Sequence, residues 1–349
     1  MTSGLMAFAI ALAASSFLTL PVRELALWTG LVDHPGPRKV HAAPMPLLGG
    51  LAIYCGIALA VLVVMEPSAR SQMIGIFLGA TLIGAVGILD DAGMLHHQVK
   101  LFLGMPSAAL ILVASGVRSE FFETFRPGSY AVMADVALTI FWVVAITASF
   151  SIFDHMDGLC AGVAAIASFI FAVYAYRSGQ SLVTTLGAAV MGAALGFLLW
   201  NFKPAKIFMG DAGAMLLGFL MATLSVKLRP VAVHHRISWM LPLLILAVPI
   251  FDTTLVTISR SRRGLVPFAT PGKDHTAHRL SNCGLGQRGA VLCLYIAGGV
   301  FGILALLLGK VPVGTAYAIA GILLIALPAA VFLLECAPYE RQQRKAPTH

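Results

Sequence analysis

Charge is what this chain of 349 residues has least of. Only 11% of its residues are Asp, Glu, Lys or Arg, against ~25% in an ordinary soluble domain. With 59% hydrophobic residues and a mean hydropathy of +0.90, lipid rather than water must face most of its surface. Cysteine is scarce too. Cys55, Cys160, Cys283, Cys293 and Cys336 form no C-x-x-C pair and lie mostly in or beside apolar runs. That excludes a disulfide framework or a cysteine-based zinc cage and leaves small buried apolar residues. Despite a net charge of +8, no basic run resembles a nucleic-acid footprint, so no nucleic-acid partner is expected. No Lys or Arg precedes the first apolar stretch, whereas Arg23, Arg38 and Lys39 follow it. A signal peptide has the reverse order, so the segment is expected to be retained with its N-terminus outside. Linkers, low-complexity tracts and internal repeats are also missing, which makes 1–349 a single integral membrane domain.

What is present is a series of long apolar runs. A spanning helix needs ~20 mostly apolar residues, because its backbone polar groups must be satisfied within the segment. Windows of that kind fall at 3–21, 47–65, 73–89, 101–117, 132–152, 159–176, 182–200, 214–228, 239–256, 290–309 and 313–334. The expected fold is all-α, a polytopic transmembrane helical bundle of ten or eleven spans embedded in the lipid bilayer. With the N-terminus outside, the loops on the inner side carry 15 Lys and Arg and those on the outer side 8, which is the positive-inside bias. The C-terminus is then inside, with 257–289 a long cytoplasmic loop and 335–349 a cytoplasmic tail.

The carboxylates are sorted by side. Of the nine aspartates, eight (Asp33, Asp90, Asp91, Asp154, Asp157, Asp211, Asp252 and Asp274) fall at inner helix ends or loops, and only Asp135 falls outside. Asp90 and Asp91 end the third apolar run. Adjacent carboxylates at a helix C-terminus are disfavoured and require a divalent cation, a basic partner or a proton. Asp154 and Asp157 are spaced i, i+3, which on a helix puts both on one face. Asp211 lies between Gly210 and Gly213 just before the eighth run, where it can cap the following helix or hold a metal. Scattered hard oxygen ligands beside a phosphate substrate suit Mg²⁺.

The basic counterpart runs from Arg260, Arg262 and Arg263 to Asp274-His275-Thr276-Ala277-His278-Arg279. His275, His278 and Arg279 offer several hydrogen bonds to phosphate oxygens; the Arg260–Arg263 cluster reads more simply as a positive-inside anchor. Asp33-His34-Pro35-Gly36-Pro37-Arg38-Lys39-Val40-His41 adds further donors on a stiff turn. Acids for a cation and bases for phosphate on one face point to diphosphate chemistry, in which a protein mainly positions groups and neutralises charge.

Five stretches in this order resemble one family. They are 33–50, 87–93 (G-I-L-D-D-A-G), 154–159, 208–219 (F-M-G-D-A-G-A-M-L-L-G-F) and 249–280, and with the span spacing they cover nearly the whole chain. The family is the polyprenyl-phosphate N-acetylhexosamine-1-phosphate transferases (WecA/MraY-type, glycosyltransferase family 4), in its WecA-like branch. The resemblance implies transfer of a sugar-1-phosphate from a UDP-sugar to undecaprenyl phosphate, releasing UMP, with Mg²⁺ as cofactor. It places the enzyme in the bacterial inner membrane with a cytoplasmic active site, at the first membrane step of a cell-envelope glycan pathway. By position it makes Asp211 the Mg²⁺ ligand and sets Phe208 near the uracil. Asp90 and Asp91 serve the lipid phosphate, one of them as a base or charge organiser, and Asp154 and Asp157 complete the catalytic acids. Lys39, His41, His275, His278 and Arg279 bind substrate. By analogy with the family, a homodimer is one arrangement open to it.

The chain departs from the family pattern before the sixth run. Two asparagines are replaced by Ala148 and Ser151, a glycine by His155, and a histidine of the basic loop by Ala277. Ser151 can offer its hydroxyl to the metal, and His155 can contribute a donor. A catalytically altered homologue is therefore one alternative and a membrane transporter another. Transport sites usually sit near the midplane on broken helices, whereas these acids gather at one mouth.

Overall fold

The computed structural model describes residues 2–35, 43–231, 233–267 and 272–339. In chain order the helices are α1 (Thr2–Thr29), α2 (Gly49–Val64), α3 (Arg70–Asp91), α4 (His97–Val99), α5 (Met105–Ala114), α6 (Phe121–Phe125), α7 (Ser129–Phe153), α8 (Leu159–Arg177), α9 (Ser181–Asn201), α10 (Gly210–Lys227), α11 (Met240–Ile245), α12 (Ala247–Arg262), α13 (Thr276–Leu280), α14 (Gly286–Leu308) and α15 (Val313–Cys336). The strand content among the described residues is one antiparallel pair, β1 (Val32–Asp33) with β2 (Met45–Pro46). Every apolar window is helical, as an all-α membrane bundle requires. Eight helical segments are long and apolar enough to cross a membrane, and α2 is a shorter apolar helix.

Two of the remaining windows depart from a simple span for visible reasons. The eighth, α10, has 16 of its 18 residues buried, so it is the axis of the bundle, packed against α2, α3, α7, α8 and α9. The ninth is broken between α11 and α12 at Leu246 (φ −101°, ψ 18°). Pro249 has no N–H to offer the Ile245 carbonyl, and its ring crowds that group. The helix therefore stops and restarts with the proline in its first turn. The expected loop 257–289 is also largely helical: α12 runs on to Arg262 and α13 begins at Thr276.

Helices in lipid gain nothing from hiding apolar surface from one another, so close association relies on small residues that let backbones touch. A side chain on Gly50 would meet the backbone of Gly213 and Ala212, one on Gly87 that of Ala212 and Asp211, and one on Gly218 would lie 2.8 Å from Thr147 Cα. These contacts set α2, α3 and α7 directly against α10. Main-chain bonds fix the axial register: Gly49 N–H donates to Phe208 O (3.0 Å), Gly50 N–H to Met209 O (2.9 Å) and Phe208 N–H to Pro46 O (2.8 Å). As a result the start of α10 lies level with the start of α2 and the end of α3. The one aspartate expected on the opposite side, Asp135, is fully buried there. Its carboxylate accepts the Phe122 and Glu123 N–H groups, each at 3.0 Å, and so caps α6 from a neighbouring helix.

Gly50→Val should lower the thermal unfolding temperature in detergent, since overpacking costs about 1–3 kcal/mol even where side chains can shift. Gly84→Val, where a side chain meets nothing within 4 Å, should leave the midpoint near wild type.

Candidate active site

Four carboxylates and one lysine converge at the end of the bundle where α3 and α7 finish and α10 begins. The requirement raised by adjacent Asp90 and Asp91 is met in two different ways. Asp90 Oδ2 lies 2.7 Å from Lys100 Nζ. Asp91 accepts the N–H groups of Asp211 (2.8 Å) and Ala212 (3.1 Å), the unpaired donors at the start of α10, where a negative charge is favourable. Gly210 makes this approach feasible. Its φ of +69° is open to glycine, and a side chain there would fall on Asp91 Oδ2 and Leu47 O.

Asp91 therefore caps α10, and the capping role considered for Asp211 is filled by another residue. Asp211 is left to face its neighbours. Its Oδ2 lies 2.7 Å from Lys100 Nζ, and its Oδ1 accepts the Ser151 hydroxyl at 2.5 Å. Lys100 thus bridges Asp90 and Asp211. It sits on the π-type turn Lys100–Gly104 that joins α4 to α5, the kind of local unwinding that often marks functional positions. Ser151 touches Asp211 directly, so the hydroxyl in place of the family's asparagine is joined to the acid centre.

The i, i+3 argument for Asp154 and Asp157 fails, because α7 stops at Phe153 and α8 starts at Leu159. Residues 154–158 are a turn that separates the two acids. Asp157 Oδ2 accepts the Ala205 N–H at 3.2 Å. Burial, together with the charges of Asp211, Asp91 and Asp157, pushes the Asp154 carboxyl up to about 8. The next residue, His155, faces a different group. Its ring centroid lies 4.0 Å from that of His275 and 4.8 Å from that of His278. Burial, with His275 and His278 alongside, holds His155 well below the usual histidine range and therefore neutral. The turn carries one residue into each of two clusters.

The second cluster is organised by two buried aspartates to which sequence reasoning gave no role. Asp252 accepts from His275 Nδ1 (2.8 Å) and from the Thr276 N–H (2.7 Å), which caps α13 and fixes the His275 ring. Asp274, fully buried, accepts from Arg260 Nε (3.0 Å), Arg260 Nη2 (2.7 Å) and Arg263. Burial opposes its charge, but these two guanidinium groups keep the Asp274 carboxyl below its ordinary value. Arg260 is only 3% exposed, so it is part of the loop's core and the membrane-anchor reading does not hold for it.

Arg279, expected to grip substrate, is turned away from the site. It is fully buried and donates to Asp274 O (2.7 Å), Leu334 O (2.7 Å) and Ser259 Oγ (3.0 Å). It also pairs with Glu335 at 2.8 Å and lies 3.8 Å over the Tyr339 ring. Its role in this structure is to tie the histidine loop to the end of α15. His275 is nearly enclosed and His278 half-buried. Phe208 is half-buried at the entrance to α10. Lys39 and His41 lie outside the described residues.

Sequence reasoning missed Lys100, Asp252 and Asp274 as site residues. The available signals were the lone lysine on the inner loop after Asp90-Asp91 and a carboxylate inside an otherwise apolar window. An ionisable residue in such a window is a functional marker by default.

The family model described as Glycosyl transferase family 4 matches residues 73–229, a span that contains Asp90, Asp91, Lys100, Ser151, Asp154, Asp157 and Asp211. A Bacillus subtilis (strain 168) protein described as "Probable undecaprenyl-phosphate N-acetylglucosaminyl 1-phosphate transferase" is 37% identical over 328 residues, covering 91% of this chain and 88% of its own. The decaprenyl-phosphate N-acetylglucosaminephosphotransferase of Mycolicibacterium smegmatis (strain ATCC 700084 / mc(2)155) is 34% identical over 313 residues, 81% of this chain and 77% of its own. The undecaprenyl-phosphate alpha-N-acetylglucosaminyl 1-phosphate transferase of Escherichia coli (strain K12) is 26% identical over 282 residues, 79% and 76% respectively. With its acids, lysine and helix starts in one place and relatives aligned along most of its length, the chain belongs to glycosyl transferase family 4.

Proposed function

We propose that this protein transfers an N-acetylhexosamine-1-phosphate from a UDP-sugar to undecaprenyl phosphate and releases UMP, as the first membrane step of a cell-envelope glycan pathway. The observation that carries the reading is the convergence of Asp90, Asp91, Asp154 and Asp211 on one end of the bundle, with Lys100 2.7 Å from two of them. The relatives' descriptions name the same acceptor class and the same transferred group. The arrangement of spans that fits is eleven, N-terminus out and C-terminus in, with the site on the cytoplasmic side of the inner membrane. The 15-to-8 excess of basic residues supports that orientation.

In the reaction, an oxygen of the acceptor phosphate forms a bond to the sugar-bearing phosphorus of the donor. The bond from that phosphorus to the bridging oxygen breaks, and UMP leaves with the electron pair. Both phosphates are anionic, so the chain's task is to bring negative charges together and hold them in line. Lys100 can donate to phosphate oxygens from its place between Asp90 and Asp211. Asp91 keeps the start of α10 fixed, so Asp211 is presented at a constant position. Phe208 offers a ring for the uracil at the same entrance, and Lys39, His41 and His278 supply donors to the diphosphate, while His275, with Nδ1 on Asp252 and Nε2 facing Arg260, positions the loop that carries His278.

The donor set at the acid centre is all oxygen, with carboxylates and one hydroxyl, and fits Mg²⁺ better than a softer ion. Asp211 and Ser151 would hold the ion, which would neutralise charge on the donor diphosphate when bound. A transporter would place its ionisable groups near midplane. Here the paired acids sit where helices begin and end.

Purified protein given labelled UDP-N-acetylhexosamine, undecaprenyl phosphate and Mg²⁺ should move label into the lipid phase and release UMP. Asp211→Asn and Lys100→Met should each slow transfer by about 10²–10³-fold, the scale for losing one charge-stabilising group. No transfer with any of several donors would overturn the proposal and favour a catalytically altered homologue. Flux across sealed vesicles without a lipid acceptor would favour a transporter. Arg279→Lys should act differently: a lower thermal unfolding midpoint, with the donor KM of the surviving folded fraction unchanged.

A further inference from the structure

Among the described residues, His155 carries the clearest unmet demand. Both of its ring nitrogens are shielded from solvent and have no hydrogen-bond partner, although buried polar atoms are ordinarily satisfied. Its side chain is 11% exposed, and its Nε2 lies 3.8 Å from Asp252 Oδ2. His275 Nδ1 lies 2.8 Å from the same oxygen. One ligand atom from each of the three residues can be chosen so that all lie within 4.8 Å of one another. They come from three separate segments: the 154–158 turn, the buried face of α12 and the residue before α13. We propose that His155, Asp252 and His275 form a binding site for a transition-metal dication of the zinc class, separate from the all-oxygen acid centre and not dependent on the proposed transferase reaction.

The chemistry selects the ion. Two imidazoles and one carboxylate are typical zinc donors, with bonds of about 2.0–2.2 Å, whereas Mg²⁺ prefers oxygens in an octahedral shell. In a tetrahedral shell neighbouring ligand atoms lie roughly 3.3 Å apart. The 3.8 Å pair must close and the 2.8 Å pair must open, each by about half an ångström, and the two imidazole nitrogens, within 4.8 Å of each other, must approach by up to about 1.5 Å. The fourth position falls to water or to His278, whose ring centroid is 4.8 Å from that of His155.

Coordination through His275 Nδ1 moves the ring proton to Nε2, which faces Arg260 Nη2 at 3.3 Å. Arg260 then gives up that single long contact. It keeps its bonds to Asp274 through Nε and Nη2 and to Pro267 O through Nη1. The bound ion would clamp the turn carrying Asp154 to α12 and to the histidine loop, joining the two clusters through a metal bridge.

The test uses the full chain, purified in detergent with a histidine-free affinity tag and stripped with a chelator. Titration with Co²⁺ should produce the visible ligand-field band of a low-coordinate nitrogen/oxygen site. Equilibration with Zn²⁺ should leave one zinc per chain. His155→Gln, verified as folded by its unfolding midpoint, should abolish the band and lower retained zinc at least tenfold, while Asp211→Asn should retain both. X-ray absorption of the zinc-loaded wild type requires no variant and should show imidazole back-scattering. Background zinc in the wild type, an oxygen-only shell, or a cobalt band that survives in His155→Gln or disappears in Asp211→Asn would each overturn the site. Because every readout is the metal itself, failure here and failure of sugar-phosphate transfer are separable.

Discussion

The Asp91 carboxylate on the first N–H groups of α10 is the contact on which the site end depends. α10 is enclosed by five other helices, so its unpaired N-terminal donors must be satisfied by protein. Asp91 supplies two acceptor oxygens and brings a charge that the helix start favours. That bond fixes α3 against α10 at their polar ends, just as Gly87 fixes them within the bundle. With Asp91 so engaged, Asp90 and Asp211 are left close together, and Lys100 comes between them. Removing the cap would free the donors of α10 and also strand two carboxylates without a common geometry.

A site made this way concentrates charge in surroundings where charge is costly. Each acid has a separate means of bearing it: a helix terminus for Asp91, an ammonium for Asp90 and Asp211, guanidinium groups for Asp274 and a fixed imidazole for Asp252. Asp154 has no such partner among the described residues, and burial beside the charges of Asp211, Asp91 and Asp157 raises its carboxyl above the ordinary range.

The 154–158 turn connects the halves of the site because it interrupts two long helices. Asp154 faces the acid centre, His155 faces the histidine cluster, and Asp157 holds the loop before α10. The substitutions that set this chain apart from its family pattern fall on or beside this turn and in the facing loop. Ser151 is bonded to Asp211, the His155 ring lies tilted against those of His275 and His278, and Ala277 is fully buried. These three positions therefore lie within the two clusters of the site, with the His155 ring nitrogens left without a hydrogen-bond partner.

Composition and hydropathy alone determined that the chain is a helical membrane bundle, because a backbone in lipid has few ways to satisfy its own polar groups. The one-sided aspartates, and with them the acid centre, were equally legible, since charge in such a chain is too costly to be scattered. The partners of those charges were decided only by tertiary structure. Lys100 meets Asp211 across 111 positions of chain, Asp252 meets the loop that starts at His275, and Arg279 turns inward to α15 instead of outward to phosphate. The helical spacing of Asp154 and Asp157 misled because periodicity assumes a continuous helix, and the chain breaks at that point. Sequence spacing reports which residues can share a face. Which buried charge finds which partner is fixed by helix packing, and that was set by small residues such as Gly50, Gly87 and Gly218 whose neighbours lie far away along the chain.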